Sequence, residues 1–470
     1  MAAYPSTIAE AGAALRSGRL SAVALTQELL GRAKATQDSI AAFITITEES
    51  ALTAAQVADT ELRNGTDRGP LHGIPLGIKD IIATSDAPTT ANSRVLDPAW
   101  GNRADATVVR KLRQAGAVVL GKLGLHEFAI GWPDPSTGFR IPKNPWDLAR
   151  TPGGSSSGTG AAIAAGLVLG GLGTDTGGSI RGPAAHCGIS GLKPTFGRVS
   201  KEGCVPLGFN LDNIGPMART ARDCALLLQV LAGFDALDPC SVREPVPDML
   251  ATLDGSVAGV RIGLNKAYFF DAPELNAEVR QAVLSAIDCL TAAGANVIDV
   301  PFPHGAVACD AQRVIMFSEA YAYHERDLQE RSDQYGKYTR QQIQQGAFFT
   351  ATDYVQAQRV RSLIKEDAQR ALADVDVLMT PTMLTFAPTF EGYDPDVLRR
   401  QPTFTGIWNL TGLPAMSVCC GFSEVGMPIG MQIVGRPFDE PTVLRVGDAY
   451  QQLTDWHTRL PELARAGQLA

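Results

Sequence analysis

The stretch NAEVRQAVLSAIDCLTAAGANVIDV (276–300) decides the fold class, because two periodicities meet in it. Val279, Val283, Leu284, Ile287 and Leu290 recur at helical spacing and predict one apolar helix face. Gly294 stands where a helix ends in a left-handed cap, and the β-branched run ANVIDV (295–300) predicts a strand directly after it. The same order returns in ADATVVRKLRQAG (104–116) before AVVLGKL (117–123), and in KEDAQRALAD (365–374) before VDVLMTP (375–381). Helices that turn straight back into strands predict an α/β layer fold. IPLGIKD (74–80) and MPIGMQIVG (427–435) are short apolar runs and are expected as interior strands.

A chain of 470 residues, 45% hydrophobic and 19% charged, can bury a large core without disulfides or a structural metal. The proline- and aspartate-rich segment 234–258 marks a connection between an N-terminal and a C-terminal half. Net charge is −8 with Lys and Arg scattered, which predicts small neutral or mixed substrates and no nucleic-acid or membrane partner. The N-terminus MAAYPSTIAEAG has neither a basic nor an apolar leader region, and a cytoplasmic location is expected. Gly160 to Gly173 is the longest apolar stretch, shorter than the roughly 20 residues that span a bilayer, and is expected as a buried helix. Eight cysteines without a CxxC pair read as buried thiols in a reducing compartment, with no metal and no cofactor expected. Cys419 and Cys420 would face opposite sides of a strand, which argues against a bond between them.

The chemistry-bearing region runs from Arg150 to Gly182, where TPGGSSSGTG and GLGTDTGGSIRG bracket an apolar Gly/Ala segment. Glycines let backbone N–H groups approach a ligand, and the neighbouring hydroxyls can act as nucleophile, acid or base. A phosphate loop is excluded because Gly158 is followed by Thr159 rather than lysine. Gly154, Ser156 and Gly158 match the GxSxG elbow, but NPWDLARTP ahead of them is no strand. Thr176, Gly177, Gly178 and Ser179 place consecutive N–H groups beside a serine, as a developing oxyanion needs, with Ser179 as candidate nucleophile. A serine hydroxyl needs a base. Composition and spacing leave two kinds open: a histidine such as His186, or Lys79, whose place at the end of an apolar strand would depress its pKa by desolvation.

Three segments together resemble the amidase signature family: GIPLGIKD (73–80), GGSSSGTG (153–160) and GLGTDTGGSIRGPAAHCGISGLKPTFG (171–197). Similarity continues through NPWD (144–147), LDNIGPMART (211–220), VLMTPT (377–382) and GMPIGMQIVGRPFDE (426–440). The resemblance implies a Ser-cisSer-Lys triad of Ser179, Ser155 and Lys79, with a cis peptide bond before Ser155. It implies that neutral Lys79 takes a proton from Ser155, which relieves Ser179 as it attacks a carbonyl, and that water later hydrolyses the acyl-enzyme. Supporting roles are implied for Ser156, Asp175 and Arg181, and an acyl pocket for Phe128, Ala129, Ile130, Gly131 and Trp132. Ser157 stands where many members have glycine, and Thr159 where a small or acidic residue is common.

The implied fold is a single large α/β/α domain, 1–470, with a mixed central β-sheet flanked by helices. Its parts would be an N-terminal helical segment (about 1–65), a signature core (about 66–232), the connection (about 234–258) and a C-terminal half (about 259–470). The leading functional expectation is hydrolysis of a C–N bond in an amide or carbamate (urethanase) substrate, with esterase activity allied to it, by a chain for which the resemblance implies a homodimer. A second expectation is the glutaminase subunit of a tRNA-dependent amidotransferase. The resemblance implies for that subunit a basic pair ahead of an Ile-x-x-Gly segment that holds the glutamine carboxylate, and Gln341 and Gln342 stand there, before Ile343 and Gly346. A third is a catalytically silent binding protein.

Overall fold

Asn276 caps the helix Ala277–Ala292 with its side-chain oxygen on the N–H groups of Glu278 and Val279, and Gly294 takes φ +102° to end it. Val279, Val283, Ile287 and Leu290 face the core as their spacing predicts, and the chain re-enters the sheet at 296–299. The other two passages form likewise: helix Thr107–Gln114 before Val118–Leu123, and helix Ala351–Ala371 before Val377–Pro381. This computed structural model describes residues 4–392 and 402–466, so the outermost ends of the expected 1–470 domain lie outside the described residues.

The strands are β1 (Phe43–Ile46), β2 (Pro75–Lys79), β3 (Val118–Leu123), β4 (Gly170–Asp175), β5 (Ser190–Lys193), β6 (Asn213–Ala218), β7 (Arg261–Leu264), β8 (Asn296–Asp299), β9 (Val377–Pro381), β10 (Ala415–Phe422) and β11 (Pro428–Gly435). They make one 11-stranded sheet in the order β1-β3-β2-β4-β6-β5-β10-β11-β9-β7-β8. β3, β2 and β4 are parallel neighbours, as are β9, β7 and β8, while the strands between pair antiparallel, so the sheet is mixed. Helices flank it in a single α/β domain. β1 to β6 come from the N-terminal half and β7 to β11 from the C-terminal half, and the halves meet where β5 pairs with β10. Segment 234–258 contains neither helix nor strand and connects them.

One expectation needs correction. Gly160 to Gly173 is not a single buried helix: the helix spans Ser157–Ala164, Gly166 turns the chain at φ +67°, and β4 begins at Gly170. The glycines belong to a strand under close approach, since a Cβ on Gly171 would sit 2.5 Å from the Gly77 carbonyl oxygen of β2. Cys419 and Cys420 are both buried and unbonded on β10. Among the described residues no helix is long and apolar enough to cross a membrane.

Candidate active site

β2 ends at Lys79, flanked by β3 and β4, and the side chain is wholly buried. Its Nζ lies 2.8 Å from Ser155 Oγ and 2.7 Å from Thr174 Oγ1. Burial draws its pKa down to about 7, with the Cys204, Asp175 and Asp212 charges only partly opposing. A large fraction of Lys79 is therefore neutral amine at neutral pH, able to take a proton from the hydroxyl beside it.

Ser155 follows a cis Gly154–Ser155 peptide bond, as the resemblance implies. Gly154 passes so close to His126 that a Cβ there would lie 1.9 Å from Cε1 of the ring. The two Gly/Ser loops are joined directly: the Ser156 N–H donates to the Ser179 carbonyl at 3.2 Å. Ser156 does not touch Lys79 itself. Its hydroxyl donates to the Thr174 carbonyl (3.2 Å) and accepts from the Thr174 N–H (3.3 Å), and Thr174 in turn contacts Lys79.

Asp175, at the end of β4, organises the Ser179 loop. Its carboxylate accepts from the N–H groups of Gly178 (2.8 Å) and Ile180 (3.1 Å), from Arg181 Nη2 (2.8 Å) and from Asn409 Nδ2 (2.9 Å). Burial pushes this carboxyl up, but the Arg181 guanidinium outweighs it and holds the group well below the usual carboxylate range. Arg181 also donates to Gln432 Oε1 (2.7 Å), Asn409 Oδ1 (2.7 Å) and the Thr405 carbonyl (3.0 Å). The pair is buried but saturated with hydrogen bonds, the condition under which a buried ion pair holds its geometry. The Gly178 N–H is thus committed to Asp175 and does not point at a substrate. The Gly177 and Ser179 N–H groups have no acceptor among the described residues, and both residues line the same cavity as Ser155.

Ser155 and Ser179 open into a cavity of about 370 Å³. Ala129, Ile130, Gly131 and Trp132 line it, but Phe128 does not. Phe128 is buried with its ring 4.4 Å from that of His324 and 5.7 Å from that of Tyr335, because the left-handed turn at Phe128 and Ala129 directs it into the core. His186 reaches the cavity yet bonds the Thr385 carbonyl at 3.3 Å, and burial lowers its pKa to about 4. Of the two bases left open by the sequence, Lys79 is the one placed against a loop serine. Thr174, Asn409, Gln432 and Gln312 are missed by sequence reasoning. Period-2 alternation beside Asp175 could have flagged Thr174, whereas the other three reach the site only through long-range packing. Among the described residues no group of three His, Cys, Asp or Glu side chains could hold a metal ion.

An α/β sheet carrying a buried lysine against two Gly/Ser loops is the arrangement of an amidase signature protein, and the chain belongs to that family: the Amidase family matches residues 24–444. Within it, the chain is 45% identical to the A-type subunit of the glutamyl-tRNA(Gln) amidotransferase of Chloroflexus aggregans, covering 98% of this chain and 99% of that one. The solved structure of the corresponding A-type subunit from Thermotoga maritima superposes with a TM-score of 0.76 at 35% identity, over 90% of this chain and 89% of that one. A bacterial aryl acylamidase of the amidase signature family superposes at 0.85 with 25% identity, over 96% and 97% of the two chains. These relatives correct the expectation of a small-molecule enzyme without nucleic-acid partners. The full-length match is to a protein whose name makes it one component of an amidotransferase for a tRNA. Net charge on one chain says nothing about the surface of an assembly.

Proposed function

We propose that this chain is the amide-cleaving A-type subunit of a tRNA-dependent amidotransferase, freeing ammonia from a carboxamide through an acyl-enzyme on Ser179. Neutral Lys79 takes the Ser155 proton, Ser155 takes that of Ser179, and Ser179 Oγ bonds to the amide carbonyl carbon. The N–H groups of Gly177 and Ser179 meet the oxyanion, with Thr176 beside them. Collapse breaks the C–N bond as the proton returns through Ser155 to the leaving nitrogen, and water then releases the acid. The observation that carries the chemistry is the 2.8 Å approach of Lys79 Nζ to Ser155 Oγ in a fully buried setting. The full-length similarity to amidotransferase components of this type supports the assembly.

The test is ammonia release from glutamine, and amide transfer to tRNA-borne glutamate, by the chain with and without added partner subunits, beside Ser179→Ala. Transfer that needs the partners, and falls by about 10³-fold or more in Ser179→Ala, supports the proposal. A second reading, a hydrolase of other amides or of carbamates outside such an assembly, is favoured by the neutral Gln341–Gln342 pair. Cleavage of aryl amides or carbamates but not glutamine, unaffected by partners, would decide for it. Equal labelling of wild type and Ser179→Ala by a fluorophosphonate would sink both.

A further inference from the structure

Among the described residues, the lining of the cavity at Ser179 carries almost no charge. His126 and His186 are both held neutral by burial, with pKa values of about 3 and about 4, and the remaining lining is apolar, hydroxyl, thiol, amide or backbone, with one exception. The exception is Arg313, on the helix Gly305–Arg331. Its neighbour Gln312 fastens that helix to the nucleophile loop by donating from Nε2 to the Thr176 carbonyl at 3.3 Å. Arg313 is therefore tied in position to the loop that presents Ser179, while Met316 and Phe317 continue the cavity wall one turn on.

What sets Arg313 apart within the lining is that its guanidinium makes neither a hydrogen bond nor an ion pair among the described residues, with only the Cys309 thiol close to it electrostatically. Two buried arginines are the opposite case: Arg181 is saturated by Asp175, Asn409, Gln432 and Thr405, and Arg198 is held by Glu440, Phe438 and Pro245. A half-buried cation facing a largely uncharged cavity attracts anions more strongly than a solvated one, and the planar guanidinium matches a carboxylate with two parallel hydrogen bonds. Gln341 and Gln342, by contrast, do not line the cavity.

We infer that Arg313 holds a carboxylate of the amide substrate, so that the site takes acidic amides in preference to neutral ones of the same shape. This rests on the reading that the cavity is the amide-cleaving site, and it names the substrate class that site accepts. Because Arg313 makes no hydrogen bond or ion pair among the described residues, its replacement is expected to leave the fold intact and to isolate the recognition effect.

Binding to Ser179→Ala protein tests the inference without turnover or partner subunits. Calorimetry would compare glutarate monoamide with its methyl ester, which removes the charge and adds one methyl group. The monoamide is expected to bind about 10- to 100-fold more tightly, the span of a charge-assisted hydrogen-bonded contact. Adding Arg313→Gln should abolish that ratio by weakening the monoamide alone, and Arg313→Lys should keep part of it. Melting temperatures of the variants should match that of Ser179→Ala. A ratio unchanged by Arg313→Gln, or no preference for the monoamide, including no binding of either ligand, overturns the inference. An Arg313-dependent preference without amide transfer to tRNA in any assembly would leave this inference standing and remove the amidotransferase reading instead.

Discussion

Lys79 carries two pH dependences whose signs can be worked out separately. As a base it must be neutral, and with a pKa of about 7 the neutral fraction grows as pH rises. Under the proposed mechanism, kcat/KM is expected to climb through about pH 7 to a plateau, and a profile that falls between pH 6 and 9 would contradict it. As a buried group, Lys79 binds fewer protons folded than unfolded between about 7 and its ordinary 10.5, so stability increases with pH across that window and is lost as pH falls through it. One such proton is worth about 1.4 kcal/mol per pH unit. Lys193 is wholly buried with a pKa drawn to about 7 by desolvation and adds the same sign. Urea unfolding at pH 7.5 and 9 should therefore show a positive slope that Lys79→Met reduces and does not abolish. Gly154 makes a steric prediction. A methyl group there collides with the His126 ring beside Ser155, so Gly154→Ala should cut turnover by about tenfold or more through sub-ångström displacement of that serine, read as kcat with KM little changed.

Loop 127–132 shows how far an element can be read from its residues. Phe128, Ile130 and Trp132 are all large and apolar, and nothing in their order says which face the substrate. The structure separates them through Glu127, whose buried carboxylate accepts from Ser93 Oγ (2.6 Å) and the Gly336 N–H (2.9 Å) and so pins the turn that sends Phe128 inward. Phe128→Ala should cost about 3 to 5 kcal/mol by urea unfolding and leave the ranking of amide substrates unaltered. Trp132→Ala should do the reverse, shifting KM between substrates with little change in unfolding midpoint. If Phe128→Ala altered the ranking while stability held, the ring would belong to the cavity after all. The same contrast governs the strands. β3, β8 and β9 were legible because a helical period gives way to β-branched residues, whereas β4 (GGLGTD) carries glycines that suit a strand only when the neighbouring backbone is known. The Gly/Ser loops were visible in sequence as a place for chemistry. The choice between Lys79 and a histidine was not, because it depends on which side chain the sheet brings to Ser155.

Lys79, Ser155 and Ser179 all precede residue 234, yet the site they occupy is built from the whole molecule. Arg181, which braces the Asp175 carboxylate under the Ser179 loop, is held by Thr405, Asn409 and Gln432 from the other half of the chain. The far wall of the cavity, from Gln312 and Arg313 through 383–385 to 402–405, comes from that half as well. β5 has β10 as its second neighbour, so a chain ending near 233 would expose an unpaired interior strand and leave the buried Arg181 short of three acceptors. Residues 1–233 expressed alone are therefore expected to aggregate or to lack reaction with a fluorophosphonate at Ser179, although Lys79, Ser155 and Ser179 are all present. Co-expression of 1–233 with 259–470 should restore labelling, because segment 234–258 supplies neither helix nor strand and β5–β10 pairing needs no covalent link. Robust labelling of 1–233 by itself would mean that the relay and its loops hold their geometry unaided, and that the contacts crossing from β5 to β10 contribute packing alone.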